Sequence, residues 1–510
     1  MASTFEGMST IRRQSILSSG LVYFGFGLGF LYTILFAKGF TPNQYGLTNM
    51  FLALGSIMYY VGNLGMPSYI YKFYPYYRDH LPPRKNDMLT WALLAGLAGF
   101  LFILAAGLVF KGFVIRKFSG QSPELVQYYY WIFPFGFGLS FYSLLEAFAW
   151  QLKRSVLTSY FREVQLRLFN ILLVVLFYAG ILHSFDTFIK LYTFGYVFLA
   201  VCMVVYLFFT KEMHFTFEVS RVTRRFFRKI VAQASLVWSG QILFNVSLFF
   251  AQIVIAAVVP GGLKYVAIYS LAQIVASLVQ APQRGIIAAS IGPLSQAWKD
   301  KDYGRIGRIY HRSSINQLIF SVGMFLLIWI NFRDGVLVFH LRPDYLEAQT
   351  PFLFIALMRI IDMGTGVTNQ IIGTSTYWRF DFLTGVSLMA ITLPMNYVLT
   401  EKIGFVGPAI ADLVTFSLYN FIRWLFLYRK FQMQPFTMQT VYTLILGTAV
   451  WWITQALFGP GGGFGRMVVR SLFFLGLYGA GVVGFRLSED VTPVWNTVKK
   501  RLGLRSDATR

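Results

Sequence analysis

Two arginines, Arg284 and Arg359, stand inside stretches of sequence that are otherwise apolar. A guanidinium offers a planar fork of charge-assisted donors that matches a phosphate or carboxylate, so a cation in such surroundings is a candidate anion ligand. An ionised side chain at the centre of an apolar helix costs about 2.5–3.5 kcal/mol on insertion scales, which singles out each such group as a candidate for function. Asp362 follows Arg359 by one helical turn, and a pair at i, i+3 either neutralises itself or is held ready for a ligand. Arg284 follows Gln280 and Pro282, where a broken helix would turn backbone donors toward an anion. The alternative for Arg284 is that its long stem carries the charge to a membrane surface. Lys72, Arg12 and Arg13 border apolar stretches and either ring an entrance or anchor the chain, and Arg423 belongs with them.

Among the acids, Glu146, Asp362 and Asp412 fall within apolar stretches, where each is a candidate to bind a proton or a sodium ion or to pair with a neighbouring cation. Gln241, Asn245, Gln252, Gln273 and Gln280 could line a hydrogen-bonding cavity, although hydrogen bonds between helices are the commoner use of such residues. Catalytic chemistry has no foothold here. The sequence contains no phosphate-cradling G-x-x-x-x-G-K-[ST] loop, which argues against direct ATP coupling. The five histidines show no metal-ligand spacing, and the only cysteine, Cys202, lies in an apolar run. The residues therefore predict no catalytic group, no metal and no organic cofactor, only a coupling ion, H+ or Na+.

The elements that must position these residues follow from composition. The 510 residues are 56% hydrophobic and only 13% charged, about half the charged share of a soluble domain. Apolar runs of the roughly 20 residues needed to cross a bilayer recur from end to end, about fourteen in all. They fall near 15–36, 47–70, 88–110, 126–150, 167–184, 188–210, 232–258, 265–294, 314–332, 350–373, 381–400, 405–428, 440–458 and 467–486. The predicted fold class is an all-α integral membrane protein. The net charge of +23 suggests nucleic acid until the positions are considered: about 30 of the Lys and Arg residues fall in loops on one side and about 10 on the other, the bias that orients membrane proteins. This placement makes the basic side cytoplasmic, puts both termini there and leaves no role for nucleic acid. The aromatic clusters Tyr128-Tyr129-Tyr130-Trp131 and Tyr71 to Tyr77 fit interfacial belts.

The loops are short, leaving no room for a folded catalytic domain. Tyr45-Gly46-Leu47-Thr48 and Gly62-Asn63-Leu64-Gly65-Met66-Pro67 have weak counterparts in Val266-Ala267-Ile268-Tyr269 and Ala281-Pro282-Gln283-Arg284-Gly285, six helices later. That spacing predicts two parallel six-helix bundles, 1–215 and 216–432, followed by two additional helices and a basic tail in 433–510.

The stretch Phe40-Thr41-Pro42-Asn43-Gln44-Tyr45-Gly46-Leu47 resembles the start of the oligosaccharide flippases that export polysaccharide precursors. The segment Leu393-Pro394-Met395-Asn396-Tyr397-Val398-Leu399, with Ile403-Gly404-Phe405-Val406-Gly407-Pro408-Ala409-Ile410-Ala411, is similar to that family's helix end, tight glycine turn and small-residue helix start. Pro408 departs from the small residue usual there. The glycines also have a structural explanation, a short turn and close helix approach. The resemblance implies movement of an isoprenoid-pyrophosphate-linked oligosaccharide across the cytoplasmic (inner) membrane of a bacterium by alternating access, for cell-surface polysaccharide biosynthesis. Arg284, Arg359, Lys72, Arg12 and Arg13 would then form a cationic substrate site, and Gln241, Asn245, Gln273 and Gln280 a polar lining for the sugar. Membrane lipids, a polysaccharide polymerase and glycosyltransferases are the partners it implies. A multidrug antiporter and a lipid II flippase, from the same superfamily, are the near rivals, and a membrane glycosyltransferase or polymerase the enzymatic one.

Overall fold

A backbone that crosses hydrocarbon must satisfy its own N–H and C=O groups, and helices do so within a single segment. The computed structural model describes residues 20–21, 24–459 and 461–490, and the regular structure among them is helical throughout. Arg12 and Arg13 lie outside the described residues.

The chain divides into two compact units, Met1–Ala267 and Ile268–Arg510. The first is built from α1 (Phe24–Gly39), α2 (Pro42–Gly62), α3 (Met66–His80), α4 (Met88–Val109), α5 (Ile132–Gln151), α6 (Leu166–Tyr178), α7 (Phe185–Phe209) and α8 (Arg221–Val258). The unit boundary falls within α9 (Gly262–Val279). The second holds α10 (Gln283–Lys299), α11 (Tyr303–Val338), α12 (Gln349–Gly364), α13 (Thr368–Gly373), α14 (Trp378–Ile403), α15 (Gly407–Phe431), α16 (Met438–Phe458) and α17 (Gly463–Gly484). The sequence repeat divides the chain near 215, whereas packing divides it at 267, because α8 packs on α2 and α3.

Among the described residues nine helical stretches are long and apolar enough to cross a membrane, and one of them, Arg379–Phe431, takes in most of α14 together with α15. α1 is apolar but shorter. Most of the expected spans coincide with helices, but 47–70 crosses the break between α2 and α3, 350–373 crosses that between α12 and α13, and the start of 15–36 lies outside the described residues. The run expected at 265–294 is two helices, α9 and α10, separated around Pro282. α8 and α11 are 38 and 36 residues long, roughly 55 Å at about 1.5 Å per residue against about 30 Å of hydrocarbon. Basic residues expected in loops, such as Arg221, Arg224, Arg225 and Arg228 or Arg305, Arg308 and Arg312, therefore ride on the helices. Hydropathy marks only the apolar part of a helix that continues into water.

Local signals explain the joints. Thr41 accepts from the Gln44 backbone at 3.3 Å while the Gln44 side chain accepts from the Thr41 backbone at 2.8 Å, a reciprocal cap with Pro42 next to it. α2 passes to α3 through Leu64 and Gly65, both at positive φ, and a Cβ on Gly65 would sit 2.3 Å from the Ala234 carbonyl of α8. The α14–α15 turn uses Gly404 at φ 79°, and Gly407 lies against the backbone of Leu399. Both glycines stand where a side chain would be strained or would clash.

α16 and α17 pack on each other and on α11. Arg470 of α17, wholly buried, donates to Asn331 at 3.1 and 2.7 Å, to the Gly459 carbonyl at 2.9 Å and to Asp334 at 2.5 Å. At the other end Arg312 and Asn316 of α11 hold Asp490, and hydrogen bonding from Arg312 keeps that carboxyl below its usual range. Arg470→Ala is expected to leave Asp334 charged and unpaired at a cost of about 3–5 kcal/mol. Thermal unfolding of the detergent-purified chain would show this as a clear fall in Tm, larger than that of Arg312→Ala at the exposed end.

Candidate functional site

A second buried arginine organises the other polar interior of the second unit. Arg423 of α15 is 2% exposed. It donates to Asp381 and Asn369, bonds Thr384 at 3.2 Å, and lies 4.0 Å over the ring of Tyr419. The expectation that Arg423 borders an entrance is therefore corrected: its charge is turned inward, between α13 and α14, because Asp381 offers a counter-charge there.

Arg359 and Asp362 do not form the self-neutralising pair that their spacing allows. Asp362 accepts instead from Gln283 of α10 at 2.7 Å and from Asn420 of α15 at 3.2 Å, and Thr365 donates to Asn420 at 3.3 Å. The Arg359 Nε is buried without a hydrogen-bond partner among the described residues. Asp362, Asp412 and the Tyr269 hydroxyl all lie within electrostatic reach of Arg359, and Asp381 and Asp362 within reach of Arg423. The five ionisable side chains thus alternate in sign, Asp381, Arg423, Asp362, Arg359, Asp412, across α12, α14 and α15. Two positive charges face three negative ones. The acid at the end of the series is the least satisfied: Asp412 receives one hydrogen bond, from Asn396 at 3.5 Å. Around it Tyr269 and Asn396 are buried, and the Tyr269 hydroxyl and the Asn396 side-chain Oδ1 take no hydrogen bond among the described residues.

Arg284 is exposed in the first turn of α10, beside Gln283, and makes no hydrogen bond among the described residues. The Gln280 side-chain oxygen, just before the break, is buried without a partner among the described residues. Gln273 lies in the same unit. Gln241 and Asn245 belong to the first unit, on α8, where the Asn245 amide donates to the Gln241 carbonyl at 2.9 Å. Lys72 is exposed on α3 with its ammonium 5.8 Å from the ring of neighbouring Phe73.

The first unit has its own series. Glu146 of α5, 7% exposed, pairs with Arg162 at 3.2 Å, and Glu163 pairs with Arg167 at 2.7 Å. Arg167 also donates to the Gly25 carbonyl in the first turn of α1. Glu146, Arg162, Glu163 and Arg167 alternate in sign and sum to zero. Sequence reading found Glu146 but took 153–167 for a loop. The structure shows Ser155–Ser159 in helix, then a π-helical stretch, Tyr160–Gln165, continuing directly into α6. Alternating Arg-Glu within four residues of an apolar run was the available signal, and a π stretch commonly marks a functional position in a helix. No cluster of His, Cys, Asp and Glu able to hold a transition metal occurs among the described residues.

No family model matches the sequence, and no curated protein does. Solved structures do match. The chain is similar to the lipid II flippase MurJ in an inward closed conformation, with TM-score 0.72 and 12% identity over 92% of this chain and 99% of that one. It is similar to an inward-facing multidrug resistance MATE family transporter of the MOP superfamily, TM-score 0.62 and 15% identity over 79% and 93% of the two chains. The MATE multidrug transporter DinF-BH matches with TM-score 0.52 and 16% identity over 83% and 95%. At such identities the likeness establishes the fold, which this chain shares with the flippase and the two transporters.

The pairing at Arg423 can be measured. Arg423→Ala is expected to destabilise the chain by about 3 kcal/mol, since it strands a partly buried carboxylate. Adding Asp381→Asn should return part of that loss, giving a coupling of about 1–3 kcal/mol in a double-mutant cycle on detergent-purified protein. Additive effects would mean that the two side chains do not interact.

Proposed function

We propose that the chain is an ion-coupled flippase for a lipid-linked saccharide, working by alternating access in the cytoplasmic membrane of a bacterium with its basic side toward the cytoplasm. The observation that carries this is the alternating charge series of the second unit, built inside a membrane fold and left with one uncompensated carboxylate. An isolated negative charge in hydrocarbon is costly, so Asp412 favours the arrival of a cation. A proton would neutralise it directly. A sodium ion would find oxygen ligands in Asp412, Asn396 and Tyr269, the hard donors such an ion prefers. Arg359, released from Asp362 by Gln283 and Asn420, keeps donors for an anionic head group, and Arg284 stands exposed at the helix break beside Gln283.

Binding a cation at Asp412 and binding an anion at Arg359 then favour each other through one chain of charges. Neutralising Asp412 leaves the positive charge of Arg359 less screened and strengthens its hold on an anion; losing the cation weakens it. A ligand shifts a conformational equilibrium only by its differential affinity for the two states, and this coupling supplies such a difference. The share of this chain matched by the lipid II flippase, 92% against 79% and 83% for the two MATE transporters, favours a lipid-linked substrate over a soluble drug. The short loops and the absence of an ATP-binding motif agree with a transporter driven by an ion gradient.

The test is transport itself. In proteoliposomes holding an isoprenoid-pyrophosphate-linked saccharide with a fluorescent sugar, the wild-type chain should make the label accessible on the opposite leaflet at a rate set by the imposed H+ or Na+ gradient. Asp412→Asn should remove the gradient dependence and slow the rate about tenfold or more, equivalent to about 1.4 kcal/mol of lost coupling, with Tm unchanged. Arg359→Ala should slow transport at every gradient. Efflux of cationic dyes with no movement of the labelled lipid would identify a drug antiporter instead.

A further inference from the structure

In the first unit the charge series closes to zero, yet it is not sealed. The Arg162 side chain is 51% exposed although it pairs with a nearly buried carboxylate. An ionised group half exposed between helices of a membrane protein faces water, since lipid contact would be prohibitive. Three phenols gather on it. Tyr59 and Tyr60, at the end of α2, have rings 4.8 Å apart. Tyr71 of α3 lies parallel to Trp150 of α5, with centroids 5.9 Å apart and planes 11° apart. All three tyrosines lie within electrostatic reach of Glu146 and Arg162. Tyr71 and Trp150 are 41% and 45% exposed.

The supports of this cluster are rigid. Trp238 of α8 donates to the carbonyls of Tyr60 and Val61 at 3.1 and 3.0 Å, holding the last turn of α2. Trp150 donates to Thr158 at 2.9 Å. The phenol hydroxyls of Tyr59, Tyr60 and Tyr71, by contrast, make no hydrogen bond among the described residues, and neither does the second oxygen of Glu146. Donors and acceptors are thus left open on a site whose frame is fixed.

Charge selects the ligand class. Aromatic faces beside an acid would suit an organic cation, but Arg162 sits on the same carboxylate and repels one. An anion meets Glu146 in the same way. A neutral polyol meets neither objection: a carboxylate oxygen accepts from one hydroxyl, a guanidinium donates to its neighbour, and the apolar C–H face of a pyranose covers an aromatic ring. We infer that Tyr59, Tyr60, Tyr71, Trp150, Glu146 and Arg162 form a subsite for an uncharged sugar ring, separate in charge character from the Arg359 series. This inference rests on the lipid-linked saccharide as substrate and names the part of the substrate that the first unit recognises.

Purified full-length chain in lipid nanodiscs would be examined by saturation-transfer NMR with free glucose, galactose, N-acetylglucosamine and lactose, and in parallel with tetramethylammonium and inorganic pyrophosphate. At least one neutral sugar should bind, and Trp150→Ala or Tyr71→Ala should weaken it about tenfold, the scale of a lost aromatic contact. Trp150→Phe and Tyr71→Phe keep a ring and should retain most of the binding, which separates recognition from misfolding. Glu146→Gln should weaken sugar binding while improving that of pyrophosphate. No sugar binding by the wild type, binding unaltered by the alanine variants, or a preference for tetramethylammonium or pyrophosphate would each overturn the subsite. Flipping of the labelled lipid by the same preparation distinguishes the two proposals. Flipping without a sugar response at these residues refutes only the subsite. A sugar response at these residues without flipping upholds the subsite and refutes only the flippase.

Discussion

Hydrocarbon solvates neither a peptide group nor a charge, and nearly every polar feature of this protein answers to that constraint. The backbone answers by being helical. The buried side chains of the two charge series answer by alternation: each has a group of opposite sign within reach, and amides or hydroxyls fill the remaining positions. Helix packing has to bring those groups together, so Asp381 and Arg423 tie α14 to α15, Gln283 and Asn420 bring α10 and α15 to Asp362 on α12, and Arg162 reaches Glu146 on α5.

The two units apply the same device to different ends. In the first, Glu146, Arg162, Glu163 and Arg167 balance, and the open groups are phenol hydroxyls and one oxygen of Glu146. In the second, Arg359 and Arg423 face three acids, which leaves one carboxylate in excess. A neutral site beside aromatic rings and a site short of one positive charge make different demands on whatever binds to them.

Much of the fold was legible in the sequence because the bilayer imposes a length and a composition on each helix. The apolar runs located most of the spans and Gly404 with Gly407 marked the α14–α15 turn, whereas α2 starts at Pro42, ahead of the expected 47, because Thr41 and Gln44 cap it. Pairing was less legible. Arg359 and Asp362 share a helix and invite a local pair, yet Gln283 and Asn420 from other helices take the carboxylate, and no one-dimensional spacing reveals that competition. Arg423 lies near the end of its apolar run, so proximity to a surface was the natural expectation until Asp381, 42 positions earlier, met it. Arg162, Glu163 and Arg167 were hidden for a different reason: the helix that carries them has its charges in the first turns, and hydropathy reads a charged helix start as a loop.

Buried polar groups here fall into two kinds that can be told apart by counting what is satisfied. Arg470 is as deeply buried as any residue in the chain, and each of its three nitrogens has a partner in Asn331, Asp334 or the Gly459 carbonyl. Such a group has nothing left to offer a ligand, and its removal is felt as lost stability. Arg359 Nε, the Tyr269 hydroxyl, the Asn396 oxygen and the Gln280 oxygen are also buried, but they are unpartnered among the described residues. Each unsatisfied buried group costs about 1–3 kcal/mol, and such costs persist where a bound state recovers them. Three of the four gather within the second unit around one under-compensated acid. The fully bonded Arg470 on α17 and the open atoms around Asp412 thus sit on different helices, which separates a group that holds the packing from groups that still have bonds to make.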